Sequence, residues 1–112
     1  MTRVYASQQG DRFRLECRGH ADYAESGKDV VCAAVSAICQ TLYLWCKNTG
    51  GVEIEKEAIE PGAFLLAARG PCGELWKAAV LGLMSLEAGY PAHIRVDVRD
   101  FDLCSMPQTR QD

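Results

Sequence analysis

Two side chains in this 112-residue sequence can do covalent chemistry together: His20 and, twelve residues on, Cys32. Cys32 falls at the start of a predicted helix, where backbone N–H groups and the helix dipole acidify a thiol. An imidazole within roughly 3–4 Å would complete a nucleophile–base pair suited to acyl transfer. Unpaired N–H groups at that helix end, including that of Cys32, can hold an oxyanion, and Gly19 leaves backbone exposed beside them. Asp29 is the expected N-cap, with Ser26 as the alternative start, and Ser36 lies one turn below Cys32 to orient a neighbour. His93, the other histidine, stands at a strand start after Pro91 with no cysteine near it in sequence, and reads as structural.

The elements around this pair follow from periodicity. Residues 2–7 read as a strand, Gly10 supplies a turn, and 12–18 alternates Phe13, Leu15 and Cys17 against Arg12, Arg14, Glu16 and Arg18, which predicts a half-buried hairpin. The small, polar stretch 19–28 is a loop. A helix is expected over 29–47, with Val31, Val35, Ile38, Leu42 and Trp45 on one stripe. Its other side is nearly as apolar (Ala33, Ala34, Ala37, Leu44), which predicts burial on several sides. Asn48, Gly50 and Gly51 end it. Residues 52–58 alternate, placing Glu53, Glu55 and Glu57 on one solvated face. Glu60-Pro61-Gly62 is turn chemistry before a strand over 63–68. A second helix spans 73–88, where Gly82 in mid-helix points to a close contact with another element. Residues 93–98 form the last strand, and 101–112 reads as a polar, flexible tail. The order strand-strand-helix-strand-strand-helix-strand predicts one α+β domain over 1–112: a two-layer sandwich with a mixed sheet of about five strands and both helices on one face.

Composition narrows the function classes. Apolar residues make up 48% and charged ones 24%, a globular balance. A net charge of −3 argues against broad electrostatic binding to nucleic acid or to an anionic membrane. No apolar run reaches the ~20 residues of a membrane span, and the first residues lack a secretory h-region, so the expected compartment is the cytoplasm. Six cysteines are present, without a CxxC pair. Cys32, Cys39 and Cys46 recur every seven residues, about two helical turns or roughly 10 Å apart, too far to bridge one another. Cys39 and Cys46 then read as small core residues, and so does Cys17. Two other uses of the thiols stay open: a zinc site from Cys17, His20, Cys32 and Cys104, weakened by the lack of a second tight ligand pair, and a redox sensor at Cys32, weakened by the lack of a resolving cysteine nearby in sequence.

The segment Gly19–Leu42, GHADYAESGKDVVCAAVSAICQTL, closely resembles the defining stretch of the ribosomal-processing cysteine protease family, Prp. That family carries a Gly-His-Ala, a short Gly-containing loop, then Asp-(Ile/Val)-Val-Cys-Ala-Ala-(Val/Ile)-Ser. The likeness runs on weakly through LGLMSLEAGYPAHIRV. By this resemblance Cys32 would be the nucleophile and His20 the base of a dyad. Ala21, Asp22, Tyr23, Ser26, Gly27 and Lys28 would belong to a mobile loop that orders over a peptide. The substrate would be a precursor ribosomal protein, the twenty-seventh of the large-subunit set, trimmed of an N-terminal extension. The resemblance further implies a cytoplasmic homodimer that needs no metal or other cofactor. The competing class is a non-enzymatic, ribosome-associated binding module that keeps the motif for packing.

Overall fold

In a computed structural model, which describes residues 1–25 and 27–99, alternation in the first twenty residues becomes a hairpin. Strands β1 (Thr2–Gln9) and β2 (Arg12–Arg18) pair antiparallel around Gly10, whose φ of +61° suits a tight turn. Thr2, Val4, Ala6, Phe13, Leu15 and Cys17 are buried, while Arg3, Tyr5, Arg12, Arg14 and Arg18 are exposed. After β2 come α1 (Val30–Lys47), β3 (Glu53–Glu60), β4 (Ala63–Arg69), α2 (Gly73–Gly89) and β5 (Ile94–Arg99). The five strands form one sheet in the order β3-β4-β2-β1-β5. The β1–β5 pair is parallel and the other three are antiparallel, so the sheet is mixed and the α+β architecture stands as expected.

Both helices lie on the sheet face that buries Val4, Leu15, Leu66 and Ile94. From α1 come Val31, Val35, Cys39, Leu42 and Cys46, and from α2 Trp76, Ala79, Val80 and Leu83. Fully burying each large apolar side chain of this set contributes about 1.5–3 kcal/mol. Trp76 also donates its Nε1–H to the Arg14 carbonyl at 3.0 Å, fixing α2 on β2, and its ring meets Phe13 at 5.4 Å between centroids. Gly82 has the expected close neighbour: a Cβ there would lie 3.2 Å from Ile38 Cδ1, so glycine lets α2 approach α1.

Two expectations need correction. The side of α1 away from the sheet is open, with Ala33, Ala37 and Leu44 exposed, and Trp45, expected on the sheet-facing stripe, is exposed as well, because α2 flanks the helix on one side only and Cys39 and Cys46 supply the core contact. Among the described residues α1 alone is long and apolar enough to cross a membrane, yet its buried stripe is committed to the sheet. Secondly, Glu53, Glu55 and Glu57 do not share a face. A bulge between Ile54 and Lys56 shifts the register, so Glu57 turns to the helix side and accepts from Tyr43 Oη at 2.7 Å, while Glu53 and Glu55 pair with Arg69 and Arg12. The alternative N-cap and loop residue Ser26, and the tail at 101–112 with Cys104, lie outside the described residues.

Candidate active site

Helix α1 begins where Asp29 stops the loop. Asp29 has an extended backbone (φ −85°, ψ 100°), and its Oδ1 accepts from the N–H groups of Val31 at 3.0 Å and Cys32 at 2.9 Å. Its Oδ2 accepts from Tyr23 at 2.9 Å and Ala24 at 3.3 Å. One carboxylate therefore ties the loop to the helix end and satisfies donors that the first turn cannot pair internally. The Cys32 N–H chiefly holds the Asp29 carboxyl below the ordinary carboxylate range; desolvation opposes this, and the Tyr23 and Ala24 N–H groups then add to the lowering. Cys32 is half-buried in the first turn, and its Sγ accepts from the Ala21 N–H at 3.2 Å, a bond that a thiolate also takes.

His20 reaches the same place from the end of β2. Its ring packs on the β3–β4 turn so tightly that a Cβ on Gly62 would lie 2.7 Å from Nε2 and 3.0 Å from Cε1. Gly62 also has φ +75°, and its carbonyl accepts from the Gly19 N–H at 2.8 Å. Glycine at position 62 thus does two things at once: it makes the turn and leaves room for the imidazole. Gly19 is hemmed in as well, since a Cβ there would lie 2.6 Å from the Met1 carbonyl oxygen. The His20 ring takes no hydrogen-bond partner among the described residues, which leaves both nitrogens available for proton transfer.

His20, Cys32 and Ser36 line two clefts. One, of about 360 Å³, runs past Val35, Ile59 and Phe64 and is largely apolar. The other, of about 530 Å³, runs past Asp22, Ala24, Asp29 and Ala33 and is more polar. Both clefts reach the thiol, so an extended chain crossing Cys32 has room in each. The Ser36 hydroxyl is exposed there without a partner among the described residues, so it orients neither His20 nor Cys32 in this state.

The remaining described thiols are of another kind. Cys17 Sγ lies 3.4 Å from Cys39 Sγ, and that contact, with burial, pushes the Cys17 thiol far up. Burial raises Cys46, and raises Cys72 to about 11. Such thiols stay neutral and make poor nucleophiles. Cys17 therefore meets Cys39 rather than His20, and among the described residues no group of three or more His, Cys, Asp or Glu side chains gathers as metal ligands would.

The oxyanion donors expected from sequence are corrected. The N–H of Cys32 is taken by Asp29 and that of Gly19 by Gly62, so neither is free to receive a developing oxyanion in this arrangement. The loop is also more fastened than its composition suggests. Ala21 is buried, Asp22 pairs with the Met1 amine at 3.3 Å in a left-handed conformation (φ +56°), and the Tyr23 ring stands edge-on to both Tyr90 and His93 at 5.3 Å. Gly27 and Lys28 are exposed.

Two residues of the site escaped the sequence reading. His93 Nδ1 lies 2.9 Å from the Ala21 carbonyl oxygen, so Ala21, whose N–H meets Cys32, is held through its own carbonyl by a residue 72 positions away. Gly62 looked like ordinary turn chemistry. Both act across the sheet, and no local spacing reports that.

The model for the family described as "Cysteine protease Prp" matches residues 1–95. The ribosomal processing cysteine protease Prp of Mycoplasma pneumoniae is 31% identical over 84 residues, covering 72% of this chain and 82% of that one. Among solved structures, an essential ribosomal processing protease Prp from S. aureus with a covalently linked product peptide superposes with a TM-score of 0.74 at 19% identity, over 88% of this chain and 100% of that one. A protein from Streptococcus mutans superposes with a TM-score of 0.67 at 20% identity, over 88% and 93%. At those identities the two structures speak to fold.

Proposed function

This chain belongs to the ribosomal-processing cysteine protease family, Prp, and is a cysteine protease; from that premise we propose that Cys32 and His20 form its catalytic dyad. We also propose that its substrate is a precursor of the twenty-seventh large-subunit ribosomal protein, from which it removes the N-terminal extension. The observation that carries the dyad is the shared wall: one thiol at a helix start and one imidazole without a hydrogen-bond partner among the described residues, both lining the same two clefts.

In this reading an extended peptide lies along the two clefts with its scissile bond over Cys32. His20 takes the thiol proton, the thiolate attacks the carbonyl carbon, and a C–S bond forms while the carbonyl electrons move to oxygen. As the tetrahedral adduct collapses, the C–N bond breaks and the imidazolium gives its proton to the departing amine. A water molecule, deprotonated by His20, then adds to the thioester; the carboxylate product leaves and the thiol is restored. Ala21, held from both sides, sets the direction from which its N–H meets the sulfur. Repositioning the loop 21–28 over substrate would release the Tyr23 and Ala24 N–H groups from Asp29 as donors for the oxyanion. We propose further that the protein works in the cytoplasm as a homodimer, with the exposed Leu44, Trp45, Leu81 and Met84 as apolar surface for the second copy to cover.

Incubation with the extended ribosomal protein, followed by mass measurement of the products, tests this. A single cut that releases the extension, lost in Cys32→Ala and in Cys32→Ser and strongly reduced in folded His20→Ala, is expected. Full activity in Cys32→Ala would refute it, and an intact substrate would favour the binding module. Sedimentation of the full chain tests the dimer.

A further inference from the structure

The sheet face that carries no helix is paved with arginine. Strand alternation brings Arg3, Tyr5 and Ser7 of β1 to this face, together with alternate residues of every other strand. Cα register then aligns them in rows across the sheet. Arg3 stands opposite Arg18 on one side and Arg95 on the other, giving the row Arg18–Arg3–Arg95. The next row is Glu16–Tyr5–Asp97, and the one after it Arg14–Ser7–Arg99. Arg12 opposite Arg69 continues the pattern on the β2–β4 side.

Seven of the eight arginines in the chain therefore occupy one face. With Lys56, eight basic strand residues stand there against five acidic ones, an excess of three on a chain whose net charge is −3. The bulk charge leads away from nucleic acid; its distribution leads back, because the acidic residues are concentrated elsewhere.

The first row is the telling one. The middle row supplies carboxylates to Arg14, Arg18 and Arg99, but Arg3 and Arg95 have no acidic partner among the described residues. Like charges directly opposite on neighbouring strands destabilise a sheet. With strands about 4.8 Å apart, the row packs three guanidinium-bearing side chains into roughly 10 Å. Such a row costs the fold something in isolation and is relieved by a bound anion. Guanidinium is the cation that grips phosphate oxygens two at a time, which distinguishes this face from a lysine-rich surface of general stickiness. Between the two arginine rows the Tyr5 ring is 39% exposed, a flat platform on which a base can stack.

We infer that this open sheet face binds single-stranded RNA, with the Arg18–Arg3–Arg95 row on the phosphate backbone and Tyr5 under a base. Arg18 of this row directly precedes Gly19 and His20 in the chain, so bound RNA and the peptide cleft would share one end of the sheet. The inference does not need the peptidase reading and stands or falls separately from it.

Fluorescence anisotropy of a labelled oligouridylate of about twelve nucleotides against the full chain tests the proposal. Neutralising about three phosphates predicts a slope of roughly −2 for log affinity against log salt, measured from about 50 to about 200 mM. The double variant Arg3→Gln/Arg95→Gln is expected to weaken binding at least tenfold and to flatten that slope. Its melting temperature should hold or rise, since the like-charge contact is relieved. Tyr5→Ala should weaken binding without changing the slope. The helix-side control Lys47→Gln/Lys77→Gln should bind as the parent does. Three results would each overturn the inference: no RNA binding at low salt, equal binding by the double variant, or stronger binding to polyglutamate or to phosphatidylglycerol vesicles than to RNA.

Discussion

Replacing Gly62 with alanine separates the geometry of His20 from the stability of the fold. The new methyl carbon would sit 2.7 Å from His20 Nε2, so the ring has to retreat by roughly 0.7–1 Å to regain an ordinary contact. Misplacing a catalytic group by about 1 Å can cost on the order of a hundredfold, so kcat/KM should fall between about tenfold and a hundredfold. The backbone adds its own cost. Alanine at φ +75° is disfavoured by about 1–2 kcal/mol, partly offset by about 0.4–1 kcal/mol from a less flexible unfolded chain. A melting temperature several degrees lower, with the protein still folded at room temperature, is the expected result. Gly10→Ala supplies the control: its φ is +61°, and an added Cβ there meets nothing within 4 Å. It should lose comparable stability and no activity. The assay is cleavage of a fluorogenic peptide spanning the processing site, read alongside thermal melts of both variants. If folded Gly62→Ala keeps kcat/KM within about twofold of the parent, His20 does not work from the position seen here, and the dyad geometry fails.

Four other outcomes follow from the same site. Under limiting iodoacetamide at neutral pH, peptide mapping should find Cys32 labelled first among Cys17, Cys32, Cys39, Cys46 and Cys72, because the other four are buried and three of them are held neutral; early labelling of Cys39 would contradict this. Cys39→Ser should leave cleavage largely intact. His93→Ala should strand the Ala21 carbonyl, costing about 1–3 kcal/mol in a chemical melt and lowering kcat more than it raises KM, with His93→Asn recovering part of the loss. Asp29→Asn should speed amide exchange at Tyr23 and Ala24. The folded Asp29 carboxyl lies below its unfolded value, so its tie is fully present above the ordinary carboxylate range and fails only as pH drops through the folded value; protection of those two amides, measured against their intrinsic exchange rates, should hold at neutral pH and fall only in acid.

How much of this was legible in the residues depends on range. The string Asp29-Val30-Val31-Cys32 announces a capped helix with a thiol in its first turn, because capping is local chemistry, and the Phe13–Leu15–Cys17 alternation announces a strand for the same reason. The bulge at Glu55 was hidden, since period-two reading assumes an unbroken ladder, and one extra residue sends Glu57 to the other face. His93 and Gly62 were hidden because their partners, Ala21 and His20, lie 72 and 42 positions away. Total charge concealed the arginine rows, which exist only once the strand order β2-β1-β5 is known.

That strand order also sets a clock. β1, formed from the first residues of the chain, pairs with β5, formed from residues 94–99, and the bond from His93 to Ala21 closes with that pairing. Contacts of such long range are entropically expensive and form late. On the ribosome the hairpin β1–β2 and helix α1 are synthesised early, but Ala21, whose N–H meets Cys32, is braced through its carbonyl only after β5 has docked. A growing chain is therefore a thiol without a finished site, and competence to cut arrives with β5. Refolding followed by pulsed alkylation and activity should show burial of Cys39 preceding recovery of cleavage; simultaneous recovery would mean that the site assembles without waiting for β5.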